Sequence, residues 1–273
     1  MLQNKKIIFN SDKFKIDGEI FFPSDINDKT PAIIFCQGIY SWYEIYRWVV
    51  RGLAEKNYIV ISFDYPGQGR SQGFFQSNIN LQFIESPLQY SAKNWRKTTI
   101  NAINYLINDS PISDFVDNKS IGILGHSLGG RTASEVVAVD NRIKAAVFLT
   151  HTNLSSIKNI DIPVQLQGGD NDLALFSIPT LLRSYKKLDS PKQLIMIKKA
   201  THEGFTSVRN RFDPIFPEYQ KDVSLSYMIP WFDYFLKNKK DRINDIIRAD
   251  DKLSDHIISK YNFNGKNVEM IKK

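Results

Sequence analysis

Apolar and polar positions fall into blocks along this chain, and block length separates strands from helices. KIIF at 6–9 and KIDGEIFF at 15–22 are short β-prone runs around a polar turn, which predicts two strands without a helix between them. PAIIFC at 31–36 is continuously apolar, as expected of a strand covered on both faces. Further strands are expected over 58–64, 119–125, 142–150, 162–168 and 192–198, the last of these read as the final strand. Helices are expected between them, over about 42–56, 92–108, 127–139, 178–188 and 219–237. A loop rich in Gly, Ser, Gln and Asn runs from 65 to about 82. The polar, Lys-rich tail 241–273 is expected to be helical over 241–260.

Alternating strands and helices imply a mostly parallel sheet with helices on both faces, and the leading strand pair implies an antiparallel edge. Ligands on such sheets bind beyond the carboxyl ends of the strands. Function is therefore to be read in the residues that follow each strand.

Two stretches carry G-x-S-x-G: GRSQG at 69–73 and GHSLG at 125–129. A serine on that motif needs a strand before it and a helix after it, because it sits on a strained turn flanked by small residues. GHSLGG follows the strand SIGIL and enters RTASEVVAV, which satisfies both demands; GRSQG follows a loop and enters FFQSNIN, which has no helical period. Ser127 is the expected nucleophile, and Ser71 a loop residue.

A serine hydroxyl needs a base, and the base needs an orienting acid. Of the four histidines, His202 alone follows the last expected strand and comes after a strand-end acid, the Ser–acid–His order of hydrolases. His126 adjoins Ser127, with a side chain expected to point away from it; a structural place suits it and His256. The acid is expected in GGDNDLAL, where Asp172 is favoured because Asp170, nearer the strand, tends to cap the turn; Asp170 remains the alternative. Oxyanion donors are expected from the N–H of Leu128, after the nucleophile, and of Ile39, in the loop QGIY, where Gly38 allows close backbone approach.

Composition narrows the classes. The 273 residues carry a net charge of +7, but the lysines are dispersed and no nucleic-acid motif accompanies them, so no nucleic-acid partner is expected. No apolar run reaches the roughly 18 residues of a membrane helix, and no signal-peptide h-region opens the chain. A cytoplasmic location is expected for the chain as it starts, and a secreted one if a leader preceded it. The single cysteine, Cys36, lies in an apolar strand and reads as a buried hydrophobe. No cofactor is expected, and no metal, since no ligand cluster has metal spacing.

PAIIFCQG, YIVISFDYPGQGRS, GILGHSLGG, IPVQLQGGDND and ATHEG occur in an order that resembles the α/β-hydrolase family over nearly the whole chain to about residue 240. The set is similar to the dienelactone-hydrolase-like and bacterial cutinase or polyester-hydrolase branch. That resemblance implies one α/β-hydrolase domain over 1–240 with a C-terminal extension over 241–273. It implies Asp172 as the acid, Ile39 and Leu128 as oxyanion donors, and His151 in the substrate cleft. Gln37 stands where most of the family has His, and its amide can make similar hydrogen bonds in support of the loop. Gln37, Gly38, Tyr40, His126, His151 and Phe205 are the expected cleft residues. Aromatics at 74, 75, 83, 90, 205, 212 and 216 either bind acyl or aryl groups or pack on the core. Only about ten residues, 152–161, separate two strands where many members insert a cap, so no large cap is expected.

The implied activity is cleavage of carboxylic esters, small or polymeric, in an open cleft through a Ser-His-Asp triad and an acyl-enzyme. A peptidase, thioesterase or acyltransferase shares this equipment. A non-catalytic binding protein would usually have lost a triad member.

Overall fold

The computed structural model describes residues 1–73, 87–174, 176–189, 191–208 and 217–271. Its strands are β1 (Leu2–Ser11), β2 (Phe14–Pro23), β3 (Thr30–Cys36), β4 (Ile59–Phe63), β5 (Val116–His126), β6 (Ile143–Leu149), β7 (Val164–Gly169), β8 (Lys192–Ile197), β9 (Lys260–Asn262) and β10 (Val268–Glu269). They make one sheet in the order β1-β2-β4-β3-β5-β6-β7-β8-β9-β10. Strands β4, β3, β5, β6, β7 and β8 run parallel. The hairpin β1–β2 adds an antiparallel edge beside β4. This is the α/β-hydrolase fold.

The helices are α1 (Arg47–Ala54), α2 (Pro87–Asn108), α3 (Leu128–Val137), α4 (Ser177–Lys187), α5 (Gln220–Leu236) and α6 (Ile243–Ile247). Side chains alternate across a strand, so each apolar run serves two cores. Ile34 and Cys36 of β3 face the cluster built on α2, α3 and α4. Ile33 and Phe35 face the cluster built on α1, α5 and α6. That division is why PAIIFC carries no polar residue. The expected helix 42–56 is a 3-10 turn, Tyr43–Tyr46, leading into α1. Between β6 and β7 there is one 3-10 turn, Ile157–Asn159, and no cap.

Two glutamines break the apolar run of β7. Gln165 and Gln167 are buried, and their amides are paired: Gln165 Nε2 donates to Gln193 Oε1 at 2.7 Å and Gln167 Nε2 to Ser224 O at 3.1 Å. Buried amides paired in this way avoid most of the desolvation penalty.

The tail corrects two expectations. The helix expected over 241–260 is confined to Ile243–Ile247. The chain then returns as β9, antiparallel to β8, so β8 is not the last strand. Tertiary burial overrides local composition here: Ile246, Leu253 and Met270 are buried in the second core cluster. Ser259 Oγ accepts from the N–H of Met196 at 2.8 Å, and Lys198 N–H donates to Lys252 O at 2.8 Å.

Candidate active site

Because β3, β5, β6, β7 and β8 are parallel, their carboxyl ends lie along one rim of the sheet. Ser127 sits between β5 and α3 at φ 56° and ψ −124°, a left-handed conformation rare for a residue with a Cβ. Two glycines make the turn possible. A Cβ on Gly125 would lie 2.3 Å from Gly129 O, and one on Gly129 would lie 2.1 Å from Cys36 O. The turn is pinned by the N–H of Ser127, which donates to Leu149 O at 3.0 Å. Leu128 opens α3, where the first backbone N–H groups have no intrahelical acceptor.

Ser127 Oγ lies 2.9 Å from His202 Nε2. His202 Nδ1 lies 3.0 Å from Asp172 Oδ2 and 3.2 Å from its Oδ1. The Asp172 carboxylate is fully buried, and the His202 side chain is 15% exposed. Oδ1 of Asp172 also accepts from the N–H of Ala174 at 2.9 Å. Asp170 is spent elsewhere: its Oδ1 accepts from the N–H of Lys199 at 2.6 Å. The arrangement can take a proton from Ser127 Oγ onto an imidazole whose opposite nitrogen faces a buried carboxylate.

Two further imidazoles flank His202. His126 is buried, its ring centroid 4.8 Å from that of His202, and burial holds its pKa well below the usual range. His151 is pushed down to about 4, first by burial, then by the charges of Arg131 and His202. Both are neutral near pH 7.

A cleft of about 450 Å³ opens over Ser127 and His202. Gly38, Ile39, Tyr40 and His126 line it, together with Trp42, Ala174, Glu203 and Val208. Its lining carries exposed aromatics: Tyr40 is 74% exposed and Trp42 42%. Three expected cleft residues are placed differently. Gln37 is fully buried and donates from Nε2 to Ser41 O at 3.2 Å, a loop support rather than a wall. Phe205 is fully buried behind His126, with ring centroids 5.7 Å apart, because the 3-10 turn Glu203–Phe205 directs its ring into the core. His151 lies within electrostatic reach of His202 and Asp172 but is not in the cleft lining. The aromatics Phe74, Phe75, Phe83, Phe212 and Phe216, and the side chain of Tyr90, lie outside the described residues.

The second motif has a different task. Ser71 Oγ donates to Asp64 O at 2.6 Å and accepts from the N–H of Asp17 at 2.9 Å. The turn around it closes on the buried Asp64 carboxylate, which accepts the N–H groups of Tyr43 and Arg70 at 2.8 and 2.9 Å.

The model of the PET hydrolase-like family matches residues 8–264. The chain belongs to that family. Among its curated relatives is a bis(hydroxyethyl) terephthalate hydrolase of Streptomyces coelicolor, 24% identical over 57% of this chain and 44% of its own length. Cutinase 2 of Thermobifida cellulosilytica is 23% identical over 84% of this chain and 77% of its own length. Dipeptidyl-peptidase 5 of Porphyromonas gingivalis is 29% identical over 49% of this chain and 18% of its own length. The chain thus spans less than half the length of the terephthalate-ester relative.

Within this PET hydrolase-like chain, sequence reading missed Ser41, Tyr46 and Ser177. Ser177 Oγ lies 3.3 Å from His202 Nδ1, and Tyr46 Oη 3.0 Å from His126 Nδ1. Tyr46 and His126 are 80 positions apart, and no motif spacing links them. Among the described residues no His, Cys, Asp or Glu group has the arrangement of a metal site, and no helix is long and apolar enough to cross a membrane.

Proposed function

We propose that this protein is a carboxylic-ester hydrolase that works through Ser127, His202 and Asp172. The observation that carries the reading is the hydrogen-bonded series from Ser127 Oγ through His202 to the buried Asp172 at one end of the sheet. Ser127 Oγ attacks the ester carbonyl carbon as its proton passes to His202 Nε2. The oxyanion forms against the N–H groups of Ile39 and Leu128. The carbon–oxygen bond to the alcohol breaks, and His202 returns the proton to the departing alkoxide. Water then attacks the acyl-enzyme, giving its proton to His202; the acid leaves and Ser127 regains its hydrogen. Asp172 keeps the imidazole in the tautomer with a bare Nε2 and stabilises the imidazolium.

The open cleft and exposed aromatics favour an ester of a bulky or aryl acid, polymer chain ends included. Family membership and the cutinase and terephthalate-ester relatives support this choice over a peptidase. The test is hydrolysis of p-nitrophenyl esters from acetate to octanoate, and of a matched p-nitroanilide, by wild type and Ser127→Ala. Ester cleavage lost in Ser127→Ala is the expected result. Equal rates in both proteins would remove Ser127 from the chemistry. Cleavage of the anilide alone would make the protein a peptidase.

A further inference from the structure

The loop that carries Ile39 is held by side chains of its own and of neighbouring elements. Ser41 Oγ donates to Gly38 O at 2.6 Å. That carbonyl and the N–H of Ile39 belong to one planar trans peptide and point in opposite directions. Fixing the carbonyl therefore fixes the direction of the Ile39 N–H. Ser41 is itself held: its N–H donates to Gln68 Oε1 at 3.4 Å, and its C=O accepts from Gln37 Nε2 at 3.2 Å. Tyr40, at φ 55°, turns the chain back so that Ser41 can reach Gly38.

The other side of Gly38 is tied across the cleft. Its N–H donates to Tyr46 Oη at 3.1 Å. Tyr46 Oη lies 3.0 Å from His126 Nδ1, and His126 Nε2 lies 3.1 Å from His202 O. A backbone carbonyl can only accept, so His126 Nε2 carries the proton and Nδ1 is bare. Tyr46 must then donate to Nδ1 while accepting from Gly38. Both groups suit these roles: burial pushes Tyr46 up to about 12, so it keeps its proton, and holds His126 neutral. A Cβ at Gly38 would sit 2.9 Å from Tyr46 Oη, so a side chain there would displace the link.

We propose that Ser41, Tyr46 and His126 are positioning residues that aim the Ile39 amide at the reacting oxygen and tie its loop to the backbone of His202. The inference rests on the hydrolase reading above. Oxyanion donors act only when aligned with the position the oxyanion will take, and two donors on separate strand-end loops stay aligned only if those loops are bonded together.

The experiment compares an oxo ester with its thiono analogue, whose C=S makes a poor hydrogen-bond acceptor in the tetrahedral intermediate. Ser41→Ala and Tyr46→Phe are expected to lower kcat on the oxo ester by about 10- to 100-fold with KM within about three-fold, a part of the loss seen on deleting a donor outright. The oxo-to-thiono ratio is expected to fall at least about five-fold. Ser41→Thr, which keeps the hydroxyl, is expected to restore it. Tyr46→Phe combined with His126→Asn is expected to cost no more than the worse single change, as for groups acting as one unit. An unchanged ratio with both substrates slowed equally would overturn the inference, as would full additivity. If Ser41→Ala does not fold, Tyr46→Phe gives the same readout. Ser127→Ala separates the two failures. If it retains activity, the hydrolase reading falls; if it is inactive while the ratio stays constant in the other variants, only the positioning role falls.

Discussion

Replacing Asp172 by Asn exchanges one oxygen for an amide nitrogen and leaves the shape of the site intact. The structure determines where that nitrogen goes. Oδ1 of Asp172 accepts from the N–H of Ala174 at 2.9 Å, so the amide oxygen of Asn takes that place. The NH2 then occupies the Oδ2 position, 3.0 Å from His202 Nδ1. Two donors cannot share that contact, so Nδ1 gives up its hydrogen and Nε2 carries it instead. Nε2 faces Ser127 Oγ at 2.9 Å and can no longer accept the serine proton. A wrong-tautomer change of this kind costs about 10⁴ in kcat, which is about 5.5 kcal/mol of barrier. The assay is kcat for p-nitrophenyl butyrate, with the thermal midpoint measured alongside to show that the variant is folded. Asp170→Asn is the paired control: its carbonyl can still accept from the N–H of Lys199, so activity is expected within about three-fold of wild type. A folded Asp172→Asn protein within ten-fold of wild type would refute the reasoning, and a collapse in Asp170→Asn instead would transfer the acid role to that residue.

Gly129→Ala puts a methyl 2.1 Å from Cys36 O, which is backbone and cannot step aside; stability in urea is expected to fall by about 3 kcal/mol, as for overpacking, with activity lost alongside. A normal unfolding midpoint would refute it. Ser71→Ala removes two hydrogen bonds, at 2.6 and 2.9 Å, and is expected to cost about 1–3 kcal/mol of stability while leaving the ester rate within about three-fold. Loss of rate in a stable Ser71→Ala protein would reopen the choice between the two motifs. His151 binds fewer protons folded than unfolded between about pH 4 and its ordinary 6.5, so the stability it contributes is present above that window and drains away as pH falls through it. Unfolding free energies of wild type minus His151→Gln are expected to rise by up to about 3 kcal/mol across that window, and a flat difference would show that His151 is not shifted.

The sheet and the three residues proposed for catalysis were legible because their signals are local. A buried parallel strand needs an unbroken apolar run, and PAIIFC or KSIGIL provides one within a few residues. The strained turn at Ser127 needs glycines two residues to either side, and chain order then singles out His202. What stayed hidden depends on contacts between distant residues. Tyr46 looks like any aromatic beside an apolar helix, and only folding sets its hydroxyl between Gly38 and His126. Sequence leaves Phe205 between cleft and core, and only the fold turns its ring inward under His126. Strand β9 spans only Lys260–Asn262. Its β character comes from the waiting edge of β8, not from its own composition.

That late strand gives the molecule a direction in time. Ser127, Asp172 and His202 all leave the ribosome before residues 252–262 exist to flank β8, the strand leading to His202. A nascent chain halted in between carries the three side chains proposed for catalysis on a sheet whose edge is bare, with backbone groups open to pairing with a neighbour. On the ester-hydrolase reading, turnover by ribosome-bound chains of increasing length is therefore expected to switch on only once residue 262 clears the exit tunnel and β9 can cover β8.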